Sequence, residues 1–393
     1  MFDRLKDVRL DSIIHSFREY SADTNVNKID LGMGVYRDSE GITPIPQSVR
    51  IAQKWHLASE TQKTYLAPEG IPHINSRFQD LIFGKRYSDS RIQTIQTPGG
   101  TCGLKLTALL LKRLNSGTTI WIGAPAYLNH KSIFQDSGLR VGYFASTNQR
   151  HQAFLESYIE AISLMKRDDA IVLQACCHNP TGVKLKETDW HLILNECGKV
   201  GVLPIIDSAY FGLGDGLKND LYPLRYIVKN LPQAIIVSSC SKNFGLYRER
   251  VGFLSVVGNK KKDLDNCFSH ILKDARGMYT SPPAFGAFIV DLILSQPTLK
   301  SMWLSENRVM RNRLIDLRSS VACVLRDIGF NVDACRAIED GRGLFALLDL
   351  DDYQVTQLKK IHGIYLLDNS RINIAGLNKY NIDYFKSSIA SVI

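Results

Sequence analysis

A chain of 393 residues, 45% hydrophobic and 22% charged, has the length for two lobes and the mix of an ordinary soluble globular protein. Its formal net charge of +9 comes from scattered Lys and Arg, the longest basic run being Lys260-Lys261-Lys262, which argues against nucleic acid or an anionic membrane as partner. Eight cysteines with neither a CxxC pair nor a Cys/His ladder exclude a zinc ribbon or a disulfide scaffold and predict reduced thiols in the cytoplasm.

The first twenty residues, MFDRLKDVRLDSIIHSFREY, are amphipathic and carry acids, unlike a secretory signal or a transit peptide. No apolar stretch approaches membrane-spanning length. From about residue 99 the pattern alternates. The stretch TCGLKLTALLLKRLN predicts a helix, TTIWIGAP a strand, AYLNH a loop, IFQDSGL a helix and RVGYFAS a strand. A helix through HQAFLESYIEAISLMKRDD precedes the strands AIVLQACC, VLPIIDSAY, AIIVSSCS and VGFLSVV, with helical segments between the earlier ones. After Pro297 a long striped run predicts one helix, and the remainder alternates strand GLFALLDL, helix DDYQVTQLKKIHG, strand RINIAGL and a final helix. Short apolar strands alternating with helices predict an α/β fold, with a mostly parallel sheet covered on both faces and a second, smaller α/β lobe. The large domain is placed at 41–305 and the small one at 1–40 with 306–393.

In such sheets ligands gather at the carboxyl ends of the strands. Here those ends carry Tyr127, the trio His178-Asn179-Pro180, Asp207 with Tyr210, and Lys242. A lysine inside a cleft has its pKa lowered by desolvation and by cations such as Arg250, and a neutral amine forms a Schiff base with an aldehyde, pyridoxal phosphate being the usual one. For a single lysine, a solvent-facing loop position is the competing reading. Asp207 follows an apolar run; it either pairs with a protonated pyridine nitrogen or caps the next helix. Tyr210 and Asn179 are placed to meet a phenolic oxygen, although Asn-Pro-Thr-Gly is by itself a good turn. Gly99, Gly100 and Thr101 open a helix whose free N–H groups suit a phosphate, and Ser239 and Arg250 add a hydroxyl and a permanent cation. The competing reading for Arg250 is a salt bridge with neighbouring Glu249 or another acid. Arg276 and Arg371 are candidate carboxylate forks, with loop and sheet-edge positions as alternatives. No residue set has metal-ligand spacing.

Together these stretches resemble the aspartate/aromatic aminotransferase family, the class I pyridoxal-phosphate enzymes. The matching pieces are DLGMGVYRDSEG, TYLAPEGI, QTPGGTCGLKL, YLNHKSIF, ACCHNPTG, IIDSAYFG, SSCSKNFGLYRERVG, MYTSPPAFGA and SRINIAGL, in the family's order and across nearly the whole chain. The resemblance implies a fold-type I transferase with pyridoxal 5'-phosphate as cofactor, working by a ping-pong aldimine mechanism between an L-amino acid (aspartate, glutamate or aromatic) and 2-oxoglutarate. By position, Lys242 would form the internal aldimine and shuttle the α-proton, Asp207 would pair with the pyridine nitrogen, and Tyr210 and Asn179 would bond the ring oxygen. Gly100, Thr101, Ser239 and Arg250 would hold the phosphate, with Tyr65 reaching it from the second subunit of a homodimer. Arg371 would bind the α-carboxylate, Arg276 would cross the interface to the side-chain carboxylate, Gly34 would add a backbone contact, and His130 and His178 would stand behind the ring.

The chain departs from the family at Tyr127, where Trp is usual and the side chain would stack on the cofactor and meet substrate. Ser281 matches aromatic-accepting relatives, whereas Thr43 and Thr101 match aspartate-selective ones. Decarboxylation or β-elimination on aspartate-like substrates, and a non-catalytic relative, remain the alternatives at this level.

Overall fold

The computed structural model describes residues 2–4, 12–85, 91–146 and 151–393. In chain order its strands are β1 (Ile29–Asp30), β2 (Ile92–Pro98), β3 (Thr119–Ala124), β4 (Arg140–Ala145), β5 (Ala170–Gln174), β6 (Leu203–Ser208), β7 (Ala234–Ser239), β8 (Val251–Val257), β9 (Phe345–Leu347), β10 (Ile364–Tyr365) and β11 (Arg371–Asn373). The chain separates into two compact units. One comprises Pro44–Asn179 and Val183–Arg313; the other Met1–Thr43, Pro180–Gly182 and Leu314–Ile393.

The larger unit is built on a seven-stranded sheet in the order β2-β8-β7-β6-β5-β3-β4. Strands β3 to β7 run parallel, while β8 is antiparallel to both β7 and β2. The inner strands β5 to β8 are mostly buried and open as apolar runs because both faces are covered. Alternate side chains go to opposite cores: Ala170, Val172, Ile205, Ile235 and Val237 pack with the helices Gly99–Leu114 and Lys261–Tyr279, whereas Ile171, Leu173, Ile206, Ala234 and Ile236 face Trp190, Leu224 and Phe78 on the other side. Strand β2, IQTIQTP, breaks the run with buried Gln96 and Thr94 and is legible only through its pairing with β8.

The smaller unit has its own core, from Ile29 and Leu31 through Val321, Leu348 and Ile372 to Phe385. It holds two short ladders, parallel β1–β10 and antiparallel β9–β11. The long helix predicted after Pro297 spans Pro297–Asp327. Two local expectations change. AYLNH is not all loop, since a helix covers Leu128–Gln135 and ends where the helical IFQDSGL stretch was expected to continue. RINIAGL forms strand only through Asn373 and then turns as a 3-10 helix, Ile374–Gly376. The helix Val332–Asp340, capped by the Asn331 side chain, and the strand β10 were not read from the sequence.

Candidate active site

The carboxyl ends of β5, β6 and β7 lie in register: Gln174 pairs with Asp207, and Ser208 with Ser238. Residues just beyond these ends therefore share one edge of the sheet. Gln174 brackets the turn that follows it, accepting from the Asn179 N–H at 2.8 Å and donating to the Asn179 carbonyl at 2.9 Å. Asn179 is buried at this edge, as is its neighbour His178, whose ring meets Phe154 edge-on at 5.0 Å. Burial, with His130 nearby, holds the His178 imidazole down at about 3, so it is neutral.

Asp207 does not cap a helix. Its Oδ2 lies 2.9 Å from Nε2 of buried His130, and Tyr127 packs edge-on against that imidazole at 5.2 Å. The Lys242 Nζ lies over the Tyr210 ring, 5.1 Å from its centroid. Lys242 is half-buried and follows β7 in a tight turn closed by the Gly245 N–H donating to its carbonyl at 3.1 Å. It is not the solvent-facing lysine of the competing reading.

The surroundings of the Gly99 helix start are the best-defined feature. Gly99, at φ +76°, begins the helix Gly99–Leu114. A side chain on Gly99 would strike the Arg250 guanidinium, and one on Gly252 would come within 2.5 Å of the Gly99 backbone, so both positions require glycine. Arg250 itself adopts φ +51°, a conformation costly for a side-chain-bearing residue. Among the described residues it pairs with no acid; it donates to Ser241 Oγ and to the Tyr247 carbonyl, both at 3.2 Å. Ser241 is in turn linked to Ser239, Oγ to Oγ 3.1 Å. A permanent cation satisfied by neutral oxygens, two hydroxyls and the free N–H groups of a helix start fit a phosphate. Ser241 was not singled out from the sequence; its spacing of two from Ser239 was the available signal. Thr101 is exposed at the first turn of the same helix.

In the smaller unit Arg371 is buried on β11 with its guanidinium carbon 4.1 Å from the Phe345 ring centroid. It donates to the Gly32 carbonyl. Gly34 lies on the same segment, and a side chain there would approach Phe345 to 2.9 Å. That segment is held from both ends. Asp30 accepts from the Gly32 and Met33 N–H groups at 3.0 and 3.1 Å and is salt-bridged to Arg37, while Asn373 Nδ2 donates to the Met33 and Val35 carbonyls at 2.6 and 2.7 Å. Phe345, Asp30 and Asn373 carry no chemical signature in one dimension and were missed. Arg276 and Tyr65 are not gathered with the others: both are exposed, Tyr65 by 91%.

The family described as aminotransferase class I and II matches residues 26–389. The tyrosine aminotransferase of Rhizobium meliloti is 37% identical over 96% of this chain and 96% of its own. The aspartate aminotransferase of Escherichia coli is 34% identical, with both chains fully covered. Among solved structures, the aromatic-amino-acid aminotransferase of Burkholderia pseudomallei covalently bound to pyridoxal phosphate superposes with a TM-score of 0.94 at 30% identity, covering 100% of this chain and 99% of that one. The chain belongs to the aminotransferase class I and II family.

Proposed function

We propose that this aminotransferase moves the amino group between an L-amino acid (aspartate, glutamate or an aromatic) and 2-oxoglutarate, using pyridoxal phosphate bound at the ends of β5 to β7. When bound, the cofactor supplies an electron sink that lowers the cost of removing the substrate's α-proton. In this reading the Lys242 amine takes that proton from the α-carbon and returns it at the carbon that becomes the amine-bearing centre. Asp207, oriented by His130, offers a carboxylate to a ring N–H, and Asn179 and Tyr210 donate to the ring oxygen. Gly100, Thr101, Ser239 and Arg250 hold the phosphate. Arg371 takes the α-carboxylate, which every amino-acid substrate shares, with Gly34 adding a backbone contact, and Tyr127 lies against ring and substrate.

The observation that carries the reading is the Arg250 cradle: a guanidinium with only neutral partners at a helix start, in the same unit as the Lys242–Tyr210 and His130–Asp207 pairs. Exposure of Tyr65 and Arg276 supports a homodimer in which each serves the site of the partner subunit. All eight cysteines are free thiols, which supports a reducing compartment such as the cytoplasm. Among the described residues no helix is long and apolar enough to cross a membrane.

The test is a half-reaction screen on purified protein loaded with pyridoxal phosphate. Aspartate, glutamate, tyrosine and phenylalanine are expected to change the cofactor absorbance, and 2-oxoglutarate to restore it. Leucine is expected to react slowly. No cofactor absorbance change with any of them would overturn the reading, and pyruvate or alanine formed from aspartate without a 2-oxo acid would replace it with lyase chemistry.

A further inference from the structure

Lys242 and Tyr210 face each other from two different turns, and the residue after the lysine joins those turns. Asn243 is fully buried. Its Nδ2 donates to the carbonyl of Phe211, the residue after Tyr210, at 3.1 Å. Its own carbonyl accepts from Trp303 Nε1 at 2.8 Å and from Asn307 Nδ2 at 2.9 Å, both on the helix Pro297–Asp327. Asn307 is anchored in turn by donating to the Trp303 carbonyl at 3.0 Å, and the Trp303 ring stacks on Phe244 at 4.4 Å.

The Tyr210 turn is fastened independently further along. The Asp220 carboxylate accepts from the N–H groups of Gly212, Gly214 and Asp215 at 2.7, 3.0 and 2.8 Å, and Arg311 donates to the Gly212 carbonyl at 3.3 Å. One end of that turn is therefore set by Asp220 and Arg311. The end that carries Tyr210 is set by Asn243, and through it by the helix that bears Trp303.

We propose that Asn243 is a positioning residue for proton transfer. It fixes the Lys242 amine relative to the Tyr210 ring by tying the two turns to one another and to a buried helix. The inference rests on the reading of Lys242 as the proton carrier. An amide is required because the same side chain must donate to a carbonyl while buried without charge; a carboxylate of the same size cannot donate and would lie beside the Phe211 oxygen.

The experiment compares wild-type holoenzyme with Asn243→Ala, Asn243→Asp and Trp303→Phe. It reads the pH titration of the bound cofactor's absorbance, kcat and KM for glutamate, pyridoxal-phosphate affinity of the apoprotein, and thermal midpoint. Asn243→Ala and Asn243→Asp are each expected to lower kcat about tenfold or more with KM changed by less than about twofold. The absorbance midpoint is expected to move by about half a pH unit, since the lysine nitrogen whose protonation it reads has lost its fixed distance from the Tyr210 ring. Trp303→Phe keeps the Asn243 side chain and is expected to move the midpoint in the same direction by less. A lowered melting temperature with kcat and midpoint unchanged overturns the proposal. If the Asn243 variants do not fold, an unmoved midpoint in Trp303→Phe overturns it. A wild-type protein that shows no cofactor absorbance sinks the assignment of Lys242, whereas a normal wild type with unmoved variants sinks only the role of Asn243.

Discussion

Arg250 and Arg371 each donate to a backbone carbonyl, yet the two units back these guanidinium groups differently. In the larger unit Arg250 is half-buried, set at φ +51°, and joined by hydroxyls and a helix start. A cation, hydroxyls and helix N–H groups in one setting suit a ligand that stays. In the smaller unit Arg371 is buried, lies on an aromatic face and leans on a backbone segment that Asp30, Arg37 and Asn373 hold. One fork with a rigid backing suits a carboxylate that arrives and leaves each turnover. The surplus of Lys and Arg lies in the larger unit, while the smaller carries slightly more acids than bases. The basic character thus goes with the unit that contains Arg250 and the Gly99 helix start, and adds a field that favours anionic ligands.

The contrast can be broken first at Arg371. Two charge-assisted hydrogen bonds are worth about 3–6 kcal/mol together, so Arg371→Leu is expected to lower kcat/KM about a thousandfold for every amino-acid substrate while cofactor affinity holds. Steady-state kinetics with an equilibrium titration of pyridoxal phosphate checks this; a comparable loss of cofactor affinity would mean that the two anion sites are not separate. Arg250→Ala is expected to do the reverse, weakening pyridoxal-phosphate binding about a hundredfold while KM for the amino acid, measured at saturating cofactor, changes little. Arg276 sharpens the comparison because it is exposed and has no such backing. Arg276→Leu is expected to reduce kcat/KM for aspartate and glutamate about tenfold to a hundredfold and to leave phenylalanine within about threefold. Equal losses on both substrate types would remove Arg276 from substrate recognition.

The smallest expected effect concerns pH and stability. Burial pushes the Asp220 carboxyl up to about 6 from an ordinary 3.8, against the pull of three backbone N–H groups. A raised carboxyl binds its proton more tightly in the folded state, so its stabilising contribution is complete below about pH 4 and is lost as pH rises through about 6. His178 has the opposite sign: its imidazole is held down to about 3, so the contribution is present above about pH 6.5 and lost as pH falls towards 3. Thermal midpoints between pH 4 and 7 are expected to lose the rising acid limb in His178→Phe and to lose the opposing slope in Asp220→Asn. Unchanged profiles would mean that neither group titrates with folding.

Much of the candidate site was legible because its chemistry is local. Lys242, Asp207 and Asn179 stand at the ends of apolar runs, where a strand must stop, and Gly99-Gly100-Thr101 announces a helix start with free N–H groups. What was not legible is the support behind them. The resemblance placed His130 behind the ring but did not name Asp207, 77 positions away, as its partner, and Asn243 meets Trp303 across 60. Nothing about a lone His, Trp or Asn in one dimension marks such a pairing.

The sequence by itself determined the alternation of strands and helices and the family, and it nominated the residues proposed to react, because apolar periodicity and short polar motifs are properties of neighbouring residues. Only the tertiary structure decided that Arg250 forgoes Glu249 for two neutral oxygens, that Arg371 rests on Phe345, and that β2 belongs to the sheet. Those outcomes depend on which distant groups share a buried space, where an unpaired polar atom is costly and the nearest partner in the chain is often not the nearest in the fold.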